Sequence, residues 1–119
     1  MSHPIDGQVV LLAAAKASVA GSRLPGLLER AQAELEPELD EHRRRYELAH
    51  ENDDACCFFV SPGYWREVGE RLGLERREYE ALARAHEEQL KRYGTREKRR
   101  EEFETALELR SAVAIGTRN

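Results

Sequence analysis

The chain has little of what a disulfide framework, a membrane span or a metal cluster is built from. Of its 119 residues two are cysteine. Cys56 and Cys57 are neighbours, a spacing that makes only a strained bridge and so excludes a disulfide scaffold. Such usage fits a reducing, cytoplasmic setting. Long apolar runs are missing too: Val9 to Ala15, closed by Lys16, falls far short of the roughly 20 residues that span a bilayer. Asp6 precedes that run and no Lys or Arg does, the reverse of a secretory leader. Neither charge sign dominates. Nineteen Lys and Arg against 23 Asp and Glu leave a net charge of −4, so no whole-molecule field draws in nucleic acid or an anionic membrane. The sequence has no nucleophile elbow, phosphate loop, dinucleotide fingerprint or zincin motif. It also has no internal repeat and no low-complexity linker.

What is present is periodic. Hydrophobic residues make up 40 % and charged residues 35 % of the chain, and the apolar ones recur in blocks, which argues against disorder. A chain of this length can bury about two-thirds of its surface in one core. Asp6 and Gly21 bound a first helix over about 7–20, apolar nearly all round and therefore expected at the centre of the core with Leu11 and Leu12 buried. Ser22 and Pro25 open a second, which Leu28, Ala31, Leu35, Leu39, His42, Tyr46 and Ala49 extend to about Asn52 on one stripe. Pro37 interrupts that stripe and predicts a kink or break near Leu35. Cys56 to Val60 is the one strand-like run, with Ala112 to Ile115 as its candidate partner. Helices follow over about 62–72, with Leu72 in the core, over 75–93, and from Thr95 to about Arg110, with Gly73 and Gly94 as breaks. The expected fold class is all-α: one helical domain over 1–119 with four to five helices and at most a short two-stranded β pair, 56–60 with 112–115.

Three patterns carry functional leads. Val68, Gly69, Leu72, Gly73, Leu74, Tyr79 and Leu82 supply in order the apolar positions, crossing glycine and turn glycine of a helix-turn-helix. Arg76 and Arg77 open its second helix, and with Arg43, Arg44, Arg99 and Arg100 they are the candidate nucleic-acid contacts. Glu75, Glu78 and Glu80 share that helix start and repel phosphate, so a plain helical hairpin with a glycine turn is the favoured reading of the motif. Tyr79, Leu82, His86, Leu90 and Tyr93 follow a nearly heptad spacing, and with Trp65 they form a candidate interface of a homodimer or with a protein partner. A neutral His86 in such an interface makes association weaken as pH falls. The competing reading is that helices of the same chain cover the stripe. His42, His50, His86, Cys56 and Cys57 are the available metal donors, but they lack the short repeated spacings of a zinc site.

The opening Met1-Ser2-His3-Pro4-Ile5-Asp6-Gly7, the passage from Phe58-Phe59-Val60 to Trp65, and the stretch from His86-Glu87-Glu88-Gln89-Leu90 to Ala112-Val113-Ala114-Ile115-Gly116 resemble small uncharacterised haloarchaeal proteins carrying a domain of unknown function. That resemblance implies no transferable chemistry. The expectation is a cytoplasmic, non-catalytic interaction or regulatory module with no cofactor and no membrane association. The alternative is a helix-turn-helix DNA-binding regulator, and a metal-binding protein is the third reading.

Overall fold

A computed structural model describes residues 3–117. In chain order the elements are α1 (Gly7–Ala17), α2 (Leu24–Leu35), a 3₁₀ turn (Glu36–Glu38), α3 (Leu39–Arg45), β1 (Glu47–Glu51), β2 (Ala55–Val60), α4 (Tyr64–Leu72), α5 (Arg76–Arg96), α6 (Arg100–Leu107) and β3 (Ser111–Gly116). The fold is thus mostly α with a β component, not all-α. The antiparallel sheet has three strands in the order β1-β2-β3.

The β2–β3 pair runs in the expected register, with Cys56 opposite Ile115 and Phe59 opposite Ala112. The third strand is a correction: the second helix does not reach Asn52. Pro37 divides it as expected, α2 ending at Leu35 and giving way to the 3₁₀ turn. The chain then leaves α3 at Tyr46 in an extended conformation and pairs β1 with β2. The physical reason is β2 itself, all six residues of which are buried. A buried strand with one neighbour would leave half its backbone polar groups without partners. Helical periodicity over Tyr46 to Ala49 yields to that demand. The register slips between Leu48 and His50, so Ala49 is a bulge that twists the outer edge.

The outer edge of β3 is closed by side chains. Trp65 Nε1 donates to the Ala112 carbonyl at 2.9 Å, and the Ala114 N–H donates to His86 Nδ1 at 2.9 Å. Gln32 donates to the Ala114 carbonyl at 2.7 Å and accepts from the Gly116 N–H at 2.8 Å. Three helices, α2, α4 and α5, thereby replace a fourth strand. Phe59 meets Phe103 of α6 on one face of the sheet, while Phe58 meets His42 of α3 on the other.

The central helix is α5, which packs against α1, α2, α4, α6 and β3. Its first turn is held by a capping box between Glu75 and Glu78, and Glu78 also binds Arg23. Gly94 does not break it, since that glycine is a contact point: a Cβ there would lie 2.7 Å from the Phe103 ring. The break comes at Lys98, whose φ is 60°, and α6 starts at Arg100 instead of after Thr95. Gly73 does end α4, with a φ of 69°. The first helix is peripheral and shorter than expected. Val9, Val10, Ala13 and Ala14 are buried, but Leu11 is 66 % and Leu12 45 % exposed. Leu72 is only partly buried.

Candidate interaction surface

The C-terminal half of α5 gathers distant parts of the chain. Asp6 stands at the N-cap of α1 without a side-chain cap bond. Its carboxylate instead meets Arg92 Nε at 2.9 Å and Arg96 Nη2 at 3.1 Å. Its N–H donates to Gln89 at 2.8 Å, and Arg92 donates to Gln8 at 3.0 Å. These bonds pin the start of α1 to α5 and leave a groove of about 620 Å³. Gln8, Val9 and Leu12 form one wall, and Glu88, Arg92, Thr95, Arg96 and Arg100 the other.

Two smaller clefts, of about 250 and 480 Å³, meet that groove at Arg96 and share Asn52 and Tyr93. His50 stacks on Tyr93 with ring centroids 4.6 Å apart, and the Arg96 guanidinium sits 5.7 Å from the same ring. Burial raises the Tyr93 phenol above its usual pKa and lowers His50 and His3 below theirs. Asn52 accepts from the Asp54 and Ala55 N–H groups at 2.8 and 2.9 Å and faces His50 Nε2 at 3.2 Å. The groups best suited to move protons here are thus held in place: the Asp6 carboxylate by two guanidiniums, the histidine by the hairpin amide.

The six arginines singled out in the sequence all meet carboxylates. Arg76 binds Glu80 at 2.8 Å, Arg77 binds Glu75 at 3.2 Å, and Arg43 binds Glu51 at 3.1 Å. Arg44 binds Glu41 at 2.9 Å, Arg99 binds Glu102 at 2.8 Å, and Arg100 binds Glu104 at 2.9 Å. Arg76 and Arg77 lie at one end of α5, and Arg99 and Arg100 lie just beyond the other, roughly 30 Å away for a helix of this length. Helices α4 and α5 approach closely at Gly69, where a Cβ would lie 2.5 Å from the Tyr79 ring. Beyond its first turn one face of α5 is buried, through Ala81, Leu82, Ala85, His86, Gln89 and Leu90.

The aromatic stripe is a correction. Trp65, Leu82, His86, Leu90 and Tyr93 are buried and Tyr79 is half-buried, all within one chain. The stripe closes the edge of β3 and seats α1 instead of facing a partner. His86 is fully buried and neutral, its pKa lowered to about 3 by desolvation.

The metal donors do not converge. His42 Nδ1 donates to the Glu38 carbonyl and Nε2 accepts from the Tyr64 hydroxyl, both at 2.8 Å. Cys56 lies 3.0 Å from Arg43 Nη2 and 3.3 Å from Glu51. Both thiols are free, and burial pushes them up to about 11 for Cys56 and about 12 for Cys57. Among the described residues no three His, Cys, Asp or Glu side chains are grouped to hold a metal ion. Nor is any helix among them long and apolar enough to cross a membrane.

The exposed leucine pair escaped the sequence reading. A helix apolar on every side is expected to be buried on every side, whereas α1 is buried on one side only. A family model described as Domain of unknown function (DUF8048) matches residues 3–117. No curated protein and no solved structure matches the chain.

Proposed function

The chain belongs to the family Domain of unknown function (DUF8048), and because that description carries no chemistry, we propose from the geometry that it is a non-catalytic interaction module. The resemblance read from the sequence agrees on the domain of unknown function, while the match says nothing of a haloarchaeal source. One observation carries the proposal: Leu11 and Leu12 stand exposed on α1 while the opposite face of that helix is buried on α5. Leu48 and Leu109 are exposed as well, but Leu11 and Leu12 are adjacent and Leu12 borders a groove, the setting in which an apolar contact with a partner would bury them together.

The test is co-purification with the tagged chain and with its Leu11→Glu/Leu12→Glu variant, each also titrated with duplex DNA at two salt concentrations. A protein retained by the wild type and lost by the folded variant supports the proposal. The DNA-binding alternative requires salt-sensitive duplex binding that the variant keeps and that Arg76→Ala/Arg77→Ala weakens. Binding of that kind, with no retained protein, overturns the proposal.

A further inference from the structure

The outward side of α1 has the pattern of a helix face made to meet another helix. Gln8, Leu11, Leu12 and Ala15 are exposed at positions i, i+3, i+4 and i+7, which fall on one stripe. The inward stripe of Val9, Val10, Ala13 and Ala14 is buried. A helix apolar on both sides fits the middle of a three-helix stack, with α5 below it and an unfilled place above.

The flank of that place is charged in a directed way. Arg92, Arg96 and Arg100 line the groove beside Leu12. Arg100 is paired with Glu104, and Glu88, which also lines the groove, with Lys91, but Arg92 and Arg96 share the single carboxylate of Asp6, so one guanidinium charge of that pair stays uncompensated. The protein as a whole carries −4, which makes this positive flank a local feature. We propose that the face receives an amphipathic helix of a partner protein, its apolar stripe on Leu11, Leu12 and Ala15 and its Glu or Asp flank against Arg92 and Arg96.

Other occupants fit less well. A second copy would place one α1 on another along an 11-residue helix. Such a pairing would bring two arginine flanks together. An anionic membrane would meet a net-negative protein whose face offers two leucines and no aromatic anchor, a weak match to an interfacial helix.

The inference rests on the interaction-module reading and gives the chemistry of its partner. The test displays a library of helical peptides, randomised on both faces, against the wild-type protein and against Leu11→Glu/Leu12→Glu. Enriched peptides are expected to carry an apolar stripe at i, i+3, i+4 and i+7 flanked by Glu or Asp. They should bind the variant about tenfold or more weakly, as expected for loss of central contacts. They should also shift the amide resonances of Gln8, Leu11, Leu12 and Ala15, and bind more weakly as salt rises. The exchange Arg92→Gln/Arg96→Gln, on a separate sequence, should remove the preference for acidic flanks while leaving the apolar stripe selected.

Selection of basic or neutral flanks, equal binding to the variant, or no enrichment overturns the inference. If a natural partner is retained through Leu11 and Leu12 by another chemistry, only the acidic-helix assignment falls. Loss of retention altogether brings down the module reading as well. Anionic vesicles that shift the same resonances while no peptide does would assign the face to lipid, and a concentration-dependent dimer through it would assign it to a second copy. Either result overturns the inference.

Discussion

Lowering the pH should unlock the edge of β3 through one residue. His86 accepts the Ala114 N–H on Nδ1, so its proton sits on Nε2, which has no hydrogen-bond partner. Protonation removes that acceptor and places a charge in a fully buried site against Trp65, whose ring centroid is 4.4 Å away. The folded chain therefore holds the imidazole neutral, with a pKa near 3 against an ordinary 6.5. A group whose folded value is lowered gives its full stability above the unfolded value and loses it as pH falls towards the folded one. Each pH unit in that window costs about 1.4 kcal/mol. The loss is thus about 2 kcal/mol by pH 5 and several kcal/mol by pH 3. His3 and His50 shift in the same direction, so the comparison needs His86→Gln, which retains both and keeps a carbonyl to accept the Ala114 N–H. Urea unfolding followed by fluorescence of Trp65, the single tryptophan, should show the wild type losing about 2 kcal/mol more than His86→Gln between pH 7 and pH 5. Parallel pH profiles for the two proteins would refute the reasoning.

Three further outcomes are expected from the packing. Gly69→Ala drives a methyl group into the Tyr79 ring and should lower stability by about 1–3 kcal/mol in the same urea assay. Leu12→Ala, on the exposed face, should change stability by less than about 0.5 kcal/mol, whereas Leu28→Ala in the core should cost about 2–5 kcal/mol; equal costs would mean α1 is buried after all. Gln32→Leu leaves the Ala114 carbonyl and the Gly116 N–H without their side-chain partner and should cost about 2 kcal/mol or more, with faster amide exchange at Gly116 as the second readout.

Local chemistry explains which elements were legible in advance. Pro37 and Gly73 act within a turn of themselves, through a missing N–H and a positive φ, so the breaks at Leu35 and after Leu72 follow from those residues alone. The pairing of Cys56–Val60 with Ala112–Ile115 was legible because both runs are short, apolar and β-branched or aromatic in part. Strand β1 was not, since Glu47-Leu48-Ala49-His50 is strand only because β2 requires a second neighbour, a long-range demand without local trace. Gly94 misled for the same reason: it serves the close approach of Phe103, which the sequence does not place beside it. Leu82, His86, Leu90 and Tyr93 form one face of α5, as their spacing predicts. That it is covered by β3 and α1 of the same chain depends on the fold, and so does the exposure of Leu11 and Leu12. The groove with Arg92, Arg96 and Arg100 joins α1 to residues more than 80 positions away, bound through Asp6.

Amide hydrogen exchange, compared between the free chain and the complex with its co-purified partner, reads the location of the binding surface directly. Protection is predicted at Gln8 to Ala15 and at Arg92 to Arg100, with Arg76 and Arg77 unchanged. Protection confined to the start of α5 around Arg76 and Arg77, with α1 exchanging as it does in the free chain, would contradict the assignment of the binding face.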